Sequence, residues 1–184
     1  LAIQNRMGIG DTVIFLPFIK TLYKRYNSPI SLLVKESSKA DQYLFQTNYI
    51  DKILILKRDN KSDNRHGGFL GIFNLIKDLK VHKFDKIFIF NSSLRFYLIA
   101  KLSGIPEIYQ YPLFKKNKQH ITETPKKFIQ NNLDLEVNED PEIHINEKLV
   151  SECVKKFKII NNEINVLLGI GGSGPTKRIP AKIF

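Results

Sequence analysis

The chain has 184 residues, 42% of them hydrophobic, which closes a sizeable core in one domain, or in one domain plus the start of another, and excludes a disordered tail. Its formal net charge of +11 points to an anionic partner such as nucleic acid, a phosphorylated ligand or an acidic membrane surface, although lysines scattered among Ile and Asn also arise from compositional bias. Cys153 is the only cysteine, which excludes a disulfide framework and a cysteine-based metal site, and no apolar run reaches the roughly 18 residues of a membrane-spanning helix.

The opening, Ile3 to Thr12, reads as the end of a buried strand, a tight turn with Gly8 and Gly10, and a helix whose first turn carries Asp11. Two glycines within three residues predict positive φ or a close approach of backbone to a ligand. A helix start beside a strand end, at the carboxyl edge of a parallel sheet, is where open α/β folds place their chemistry. Asp11 reads as a carboxylate that complements the helix macrodipole and equally as a reactive group, and the two roles are compatible.

Val13, Leu16, Ile19, Leu22 and Tyr23 then recur at helical spacing as far as Tyr26 to Pro29, with Pro17 expected in the first two turns. Ile30 to Val34 is predicted as a strand, Ser37 to Phe45 as a helix and Lys52 to Leu56 as a strand. These strands are continuous apolar runs, the pattern of a parallel sheet covered on both faces. Lys57 to His66 is a polar, mostly basic loop, a solvated segment that also borders the crevice of such a sheet. Gly67-Gly68 and a helical pattern from Phe69 to Leu79 follow.

Lys86 to Phe90 is the next strand, Asn91-Ser92-Ser93 a turn with capping residues, and Leu94 to Ser103 a helix closed by Gly104 and Pro106. Ile108 to Tyr111 is a short strand that leads through 114–120 to a helix around Pro125 to Leu133. Asn138-Glu139-Asp140-Pro141 reads as the approach to an interdomain linker, and Asn146 to Ile159 as a further helix in which Cys153 is a small core residue. The alternation of strand and helix predicts an α/β fold, a Rossmann-like doubly wound parallel sheet.

Asn165 to Ile170 is predicted as a strand, followed by Gly171-Gly172-Ser173-Gly174-Pro175-Thr176-Lys177-Arg178 and a helix start. Successive N–H groups of a glycine-rich loop make an anion-binding concavity and a lysine supplies charge for a phosphate, although a purely structural glycine turn explains the same residues. The spacing is not that of a Walker P-loop. Two such loops, one near each end of the chain, suggest two Rossmann-like domains facing one cleft. The chain opens without Met inside a predicted strand and stops at Phe184 inside a predicted helix, so it is expected to be a fragment.

Taken in series, Arg6-Met7-Gly8-Ile9-Gly10-Asp11, Leu16-Pro17, Asn48-Tyr49-Ile50-Asp51-Lys52-Ile53, Phe84-Asp85-Lys86-Ile87, Leu94-Arg95 to Gly104-Ile105-Pro106, His120, and Gly171 to Pro180 make a chain that resembles glycosyltransferase family 9, the ADP-heptose:lipopolysaccharide heptosyltransferases. Ile170 stands where the family usually has Pro, and Ile179 where it usually has Trp. The resemblance implies the N-terminal half of a GT-B glycosyltransferase, with an acceptor-binding domain over 1–140 and a linker plus the truncated start of a nucleotide-sugar-binding domain over 141–184.

The reaction it implies is inverting transfer of heptose from ADP-heptose to the lipopolysaccharide inner core, with Asp11 as general base. Lys177, with Gly10, Gly172, Ser173 and Thr176, would hold the donor diphosphate. Arg58, Lys61, Arg65, Arg95 and His120 would contact the acidic acceptor, solvated surface charge being the other reading of each. No metal or other cofactor is expected and no nucleic acid partner. The expected protein is a monomer in the cytoplasm, with possible peripheral contact at the inner membrane, and the fragment alone is expected to be inactive.

Two rival readings stand beside this one. A dinucleotide-binding oxidoreductase predicts G-x-G-x-x-G and an acid at the end of the second strand, whereas Gly8-x-Gly10 is followed by Val13 and Lys35-Glu36 is a poor match. A non-catalytic basic binding module predicts cations interleaved with aromatics on one face, and here they are dispersed.

Overall fold

The computed structural model describes residues 1–3, 8–58, 63–113, 120–160, 162–167 and 183. Five strands, β1 (Ala2–Ile3), β2 (Ile30–Lys35), β3 (Ile50–Leu56), β4 (Lys86–Ile89) and β5 (Glu107–Gln110), form one parallel sheet in the order β3-β2-β1-β4-β5. The helices are α1 (Ile9–Tyr26), α2 (Ala40–Tyr43), α3 (Leu70–Lys80), α4 (Leu94–Leu102), α5 (Glu123–Leu133) and α6 (Glu147–Phe157).

The apolar runs of the central strands supply two cores because successive side chains leave a strand on opposite faces. In β4 and just beyond it, Phe88 and Phe90 pack with Phe15, Phe18 and Leu22 of α1 and Phe128 of α5. Ile87 and Ile89 pack on the other face with Leu75 and Leu79 of α3 and Phe96 and Ile99 of α4. The outer strand β3 departs from the expected two-sided burial: Asp51 and Lys52 are exposed and Ile53 to Ile55 half-buried, because an edge strand has only one neighbour to share its cover.

Local chemistry overrides helical periodicity in two places. The helix predicted over Ser37 to Phe45 is a 3-10 turn at Glu36–Ser38 and the single turn α2, broken at Lys39, whose φ of 51° is left-handed. Ser38 Oγ there donates to Lys35 O (2.7 Å) and accepts from Ala40 N (3.3 Å), competing with a continuous helix. Pro17 is the ninth residue of α1, in its third turn rather than its first two, and it is buried in the core.

The backbone falls into two units, Leu1–His144 and Ile145–Phe184. Residues 138–141 belong to the first unit, close to its end. Leu135, Val137 and Ile143 pack against its core, Tyr49 donates from its hydroxyl to Glu142 O (3.0 Å), Lys20 pairs with Glu142 at 2.7 Å, and Lys24 pairs with Glu139. In the second unit Asn146 caps α6 by accepting from Lys148 N at 2.7 Å. Cys153 is exposed, not a core residue: no residue of α6 is buried, and the described residues of this unit form no strand for the helix to cover. Residues 164–167 carry no strand either, with Val166 and Leu167 exposed; the remainder of the strand, loop and helix start predicted up to Pro180 lies outside the described residues.

Candidate active site

From β1 the chain works outward to β2 and β3, then crosses back to β4 on the other side of β1. The switch point of the sheet is thus between β1 and β4, at their carboxyl ends, where open α/β sheets have a crevice. The start of α1 borders it on one side and residues 91–93 on the other.

At the start of α1, Gly8 is the N-cap, with φ −91° and ψ 177°. Asp11 reaches back so that its Oδ2 accepts from Gly8 N at 3.1 Å, and Thr12 Oγ1 donates to Gly8 O at 3.2 Å. The helix-start role of Asp11 is therefore real. The expected positive φ is not: Gly8 and Gly10 both have ordinary backbone angles. A Cβ on Gly10 would meet nothing within 4 Å, and one on Gly8 only Asp11 Oδ2 at 4.0 Å. Both glycines are exposed, so what they leave is bare backbone open to solvent beside a half-buried carboxylate.

The basic loop after β3 is closed on itself and tied to two helices. His66 N donates to Lys57 O (2.8 Å), and Lys57 N donates back to His66 Nδ1 (3.0 Å). With Nδ1 accepting, the ring proton sits on Nε2, which faces Asp78 Oδ2 of α3 at 3.0 Å. Arg65 Nε also donates to Asp78 Oδ2 at 3.0 Å, and its guanidinium, helped by His66, holds the Asp78 carboxyl down to about 2. Arg95, in the first turn of α4, donates to His66 O (2.6 Å) and Gly68 O (2.8 Å). Burial, with the charge of nearby Arg58, lowers the Arg95 guanidinium from its ordinary value. Gly71 completes the lock: a Cβ there would lie 2.2 Å from the His66 carbonyl carbon.

The structure thus brings Arg58 near Arg95 and sets Arg65 and Arg95 to fasten the loop. His120 is exposed at the start of α5, with Nδ1 2.9 Å from Thr122 Oγ1. Lys61, Gly172, Ser173, Thr176 and Lys177 lie outside the described residues. His66, Asp78 and Gly71 were not singled out from sequence. Nor was Gln110 at the end of β5: its Nε2 donates to Asn91 O (3.0 Å) and Ser93 O (2.9 Å), while Asn91 Oδ1 caps Ser93 N (3.0 Å), which fixes the turn beside the switch point. An Asn-Ser-Ser turn after a strand was legible as a cap, but its brace from the next strand was not.

Two open clefts lie elsewhere. One of about 380 Å³ runs between β3 and α3 past His66, Asp78 and His82; one of about 410 Å³ sits under the amino ends of the strands by Tyr26, Asp51 and Phe84. Neither is lined by Asp11 or Gly10. Among the described residues no group of three or more His, Cys, Asp or Glu could hold a metal ion.

No family model matches the chain, and no curated protein does. Solved structures do. A glycosyl transferase of family 9 from Veillonella parvula DSM 2008 superposes with a TM-score of 0.71 at 17% identity, over 98% of this chain and 56% of its own. ADP-heptose lps heptosyltransferase II of E. coli superposes with a TM-score of 0.57 at 14% identity, over 87% of this chain and 51% of its own. The chain spans about half the length of these two proteins. What it shares with them is the fold, that of a family 9 glycosyltransferase of the GT-B type.

Proposed function

We propose that the chain is the acceptor-binding half of an inverting glycosyltransferase that moves heptose from ADP-heptose to the lipopolysaccharide inner core, with Asp11 as general base. One observation carries this reading. At the switch point of a sheet with the family 9 fold, a half-buried carboxylate stands beside two glycines whose bare backbone neither a turn nor packing requires.

In such a transfer the acceptor hydroxyl becomes acidic only as the bond from sugar to diphosphate breaks, so an ordinary carboxylate suffices as base if it lies within hydrogen-bond reach. Asp11 Oδ2 is held by the Gly8 N–H, which fixes the carboxylate and assigns Oδ1 to the proton. Gly10 lets the donor approach the start of α1, where N–H groups without intrahelical partners favour a phosphate. Lys177, with Gly172, Ser173 and Thr176, offsets the charge that grows on the departing diphosphate, and no metal is needed. Arg58, Arg65 and Arg95 supply positive charge for a phosphorylated acceptor, and His120 a hydrogen bond to it. The enzyme works as a monomer at the cytoplasmic face of the inner membrane, and the 184-residue chain alone is inactive.

The test is transfer by the full-length protein. Asp11→Asn keeps a side-chain oxygen for the Gly8 N–H, so the expected result is an unchanged melting temperature with a kcat lower by about 100-fold or more. Lys177→Ala is expected to lower kcat and raise KM for the donor together. An Asp11→Asn enzyme as active as wild type reduces Asp11 to a helix cap and overturns the mechanism.

A further inference from the structure

We propose that the outer face of α3 and α4 is a docking surface for a membrane that carries anionic lipid. The inference deepens the proposed reading of an enzyme at the inner membrane, on which it rests, by naming the face that meets the bilayer, and its observations are exposure and charge. From Phe69 to the end of α3 and along α4, nine residues are exposed, six apolar and three of them lysines, with no carboxylate among them. The apolar ones are Phe69, Leu70 and Phe73 on one helix and Leu94, Leu98 and Leu102 on the other, and the rings of Phe69 and Phe73 pack edge to face with centroids 5.5 Å apart. Phe69 and Leu70 are the extreme cases, with 74% and 76% of their surface in water.

Compositional bias does not account for this face. On the opposite side of the same sheet the exposed residues of α5 are all polar: Glu123, Lys126, Lys127, Gln130, Asn131 and Asn132. The two helices α3 and α4 pack side by side, and the hydrogen bonds of Arg95 to His66 O and Gly68 O tie their beginnings together, so the apolar residues share one surface. Lys77, Lys80 and Lys101 stand toward the other ends of the helices. Asp78, the one carboxylate of these two helices, is paired with Arg65. Large apolar side chains with lysines beyond them are what the interface of an anionic bilayer selects: the rings and leucines enter the acyl boundary while the ammonium groups stay among the phosphates. No described helix is long and apolar enough to cross a membrane, and the contact proposed is that of a helix face with the bilayer interface. Phe69, Leu70 and Leu94 lie at the starts of the two helices, on the carboxyl edge of the sheet that also carries Asp11. Docking by this face would therefore bring the proposed site toward an acceptor held in the same bilayer.

The experiment is vesicle sedimentation with the full chain, using phosphatidylethanolamine vesicles with and without phosphatidylglycerol. It needs no sugar donor, so its failure is distinct from failure of the transferase reading. Wild type is expected to sediment with the phosphatidylglycerol vesicles. Phe69→Ser with Phe73→Ser is expected to weaken partitioning by about 10-fold or more, and each of Lys77→Glu, Lys80→Glu and Lys101→Glu by about 5-fold or more. All five side chains are exposed, so unchanged circular dichroism and melting will show that the variants fold. Wild type that remains in solution with phosphatidylglycerol vesicles, or a double Phe variant that binds as wild type does, overturns the proposal. So does a wild-type dimer that the Phe changes dissolve and that ignores vesicles, since a second copy would then cover the face.

Discussion

Gly10 and Gly71 are both helical glycines, and their surroundings give them opposite meanings. Gly71 has the backbone of His66 against it, with the carbonyl carbon 2.2 Å and the oxygen 2.5 Å from where a Cβ would be, and backbone cannot swing aside as a side chain can. Gly71→Ala is therefore expected to cost about 2–3 kcal/mol of stability in urea unfolding, by prising α3 from the loop. Gly10→Ala meets open space and gains helix propensity, so it is expected to stabilise by about 0.5 kcal/mol while impairing transfer in the full-length protein. The pair Gly8 and Gly10 was legible in sequence because two glycines beside an acid at a strand-to-helix junction form a local pattern. The reason for the pair was not, since φ and the space above a residue belong to the folded chain. Gly71 and His66 were illegible for the same cause: their requirement arises from a loop docking on a helix.

At the scale of elements, Arg65 and His66 are fastened to α3 because Asp78 holds them together. Its carboxyl is lowered from an ordinary value of 3.8 to about 2, chiefly by the Arg65 hydrogen bonds. A group depressed in the folded state stabilises fully above its unfolded value, and that stability is lost as pH falls through the folded one. Melting of wild type and Asp78→Asn should thus differ by a constant amount above about pH 5 and converge between about pH 4 and pH 2. The difference is expected to be modest, about 1 kcal/mol or less, since 36% of the Asp78 side chain is in water and solvent screens the pair. Strands and long helices were legible from their apolar runs and spacing. The break at Lys39 was not, because a serine hydroxyl competing for backbone groups leaves no trace in hydrophobic periodicity.

For the molecule as a whole, the alternation of elements announced a parallel α/β sheet, but which strand lies at an edge, and so which apolar run is only half covered, depends on an order that alternation does not encode. The boundary is similar. Glu139 reads as the approach to a linker and Glu142 as part of one, and the lysines far back on α1 that hold both in place are not visible in local sequence. A chain ending at His144 is expected to unfold cooperatively, while one ending at Asp134, lacking Leu135, Val137 and Ile143, should lose about 3 kcal/mol in denaturant titration. Strand β1 also has a consequence in time. It sits at the centre of the sheet, yet β4, its partner on one side, pairs Phe88 with Ala2 across most of the first unit, while β2 is near at hand. During synthesis β1, β2 and β3 can assemble early, leaving the open edge of β1 waiting for a strand not yet made. Pairing over so long a separation closes slowly, so this edge is where a nascent chain is most exposed to a neighbour on the same messenger, and where a chaperone would be needed.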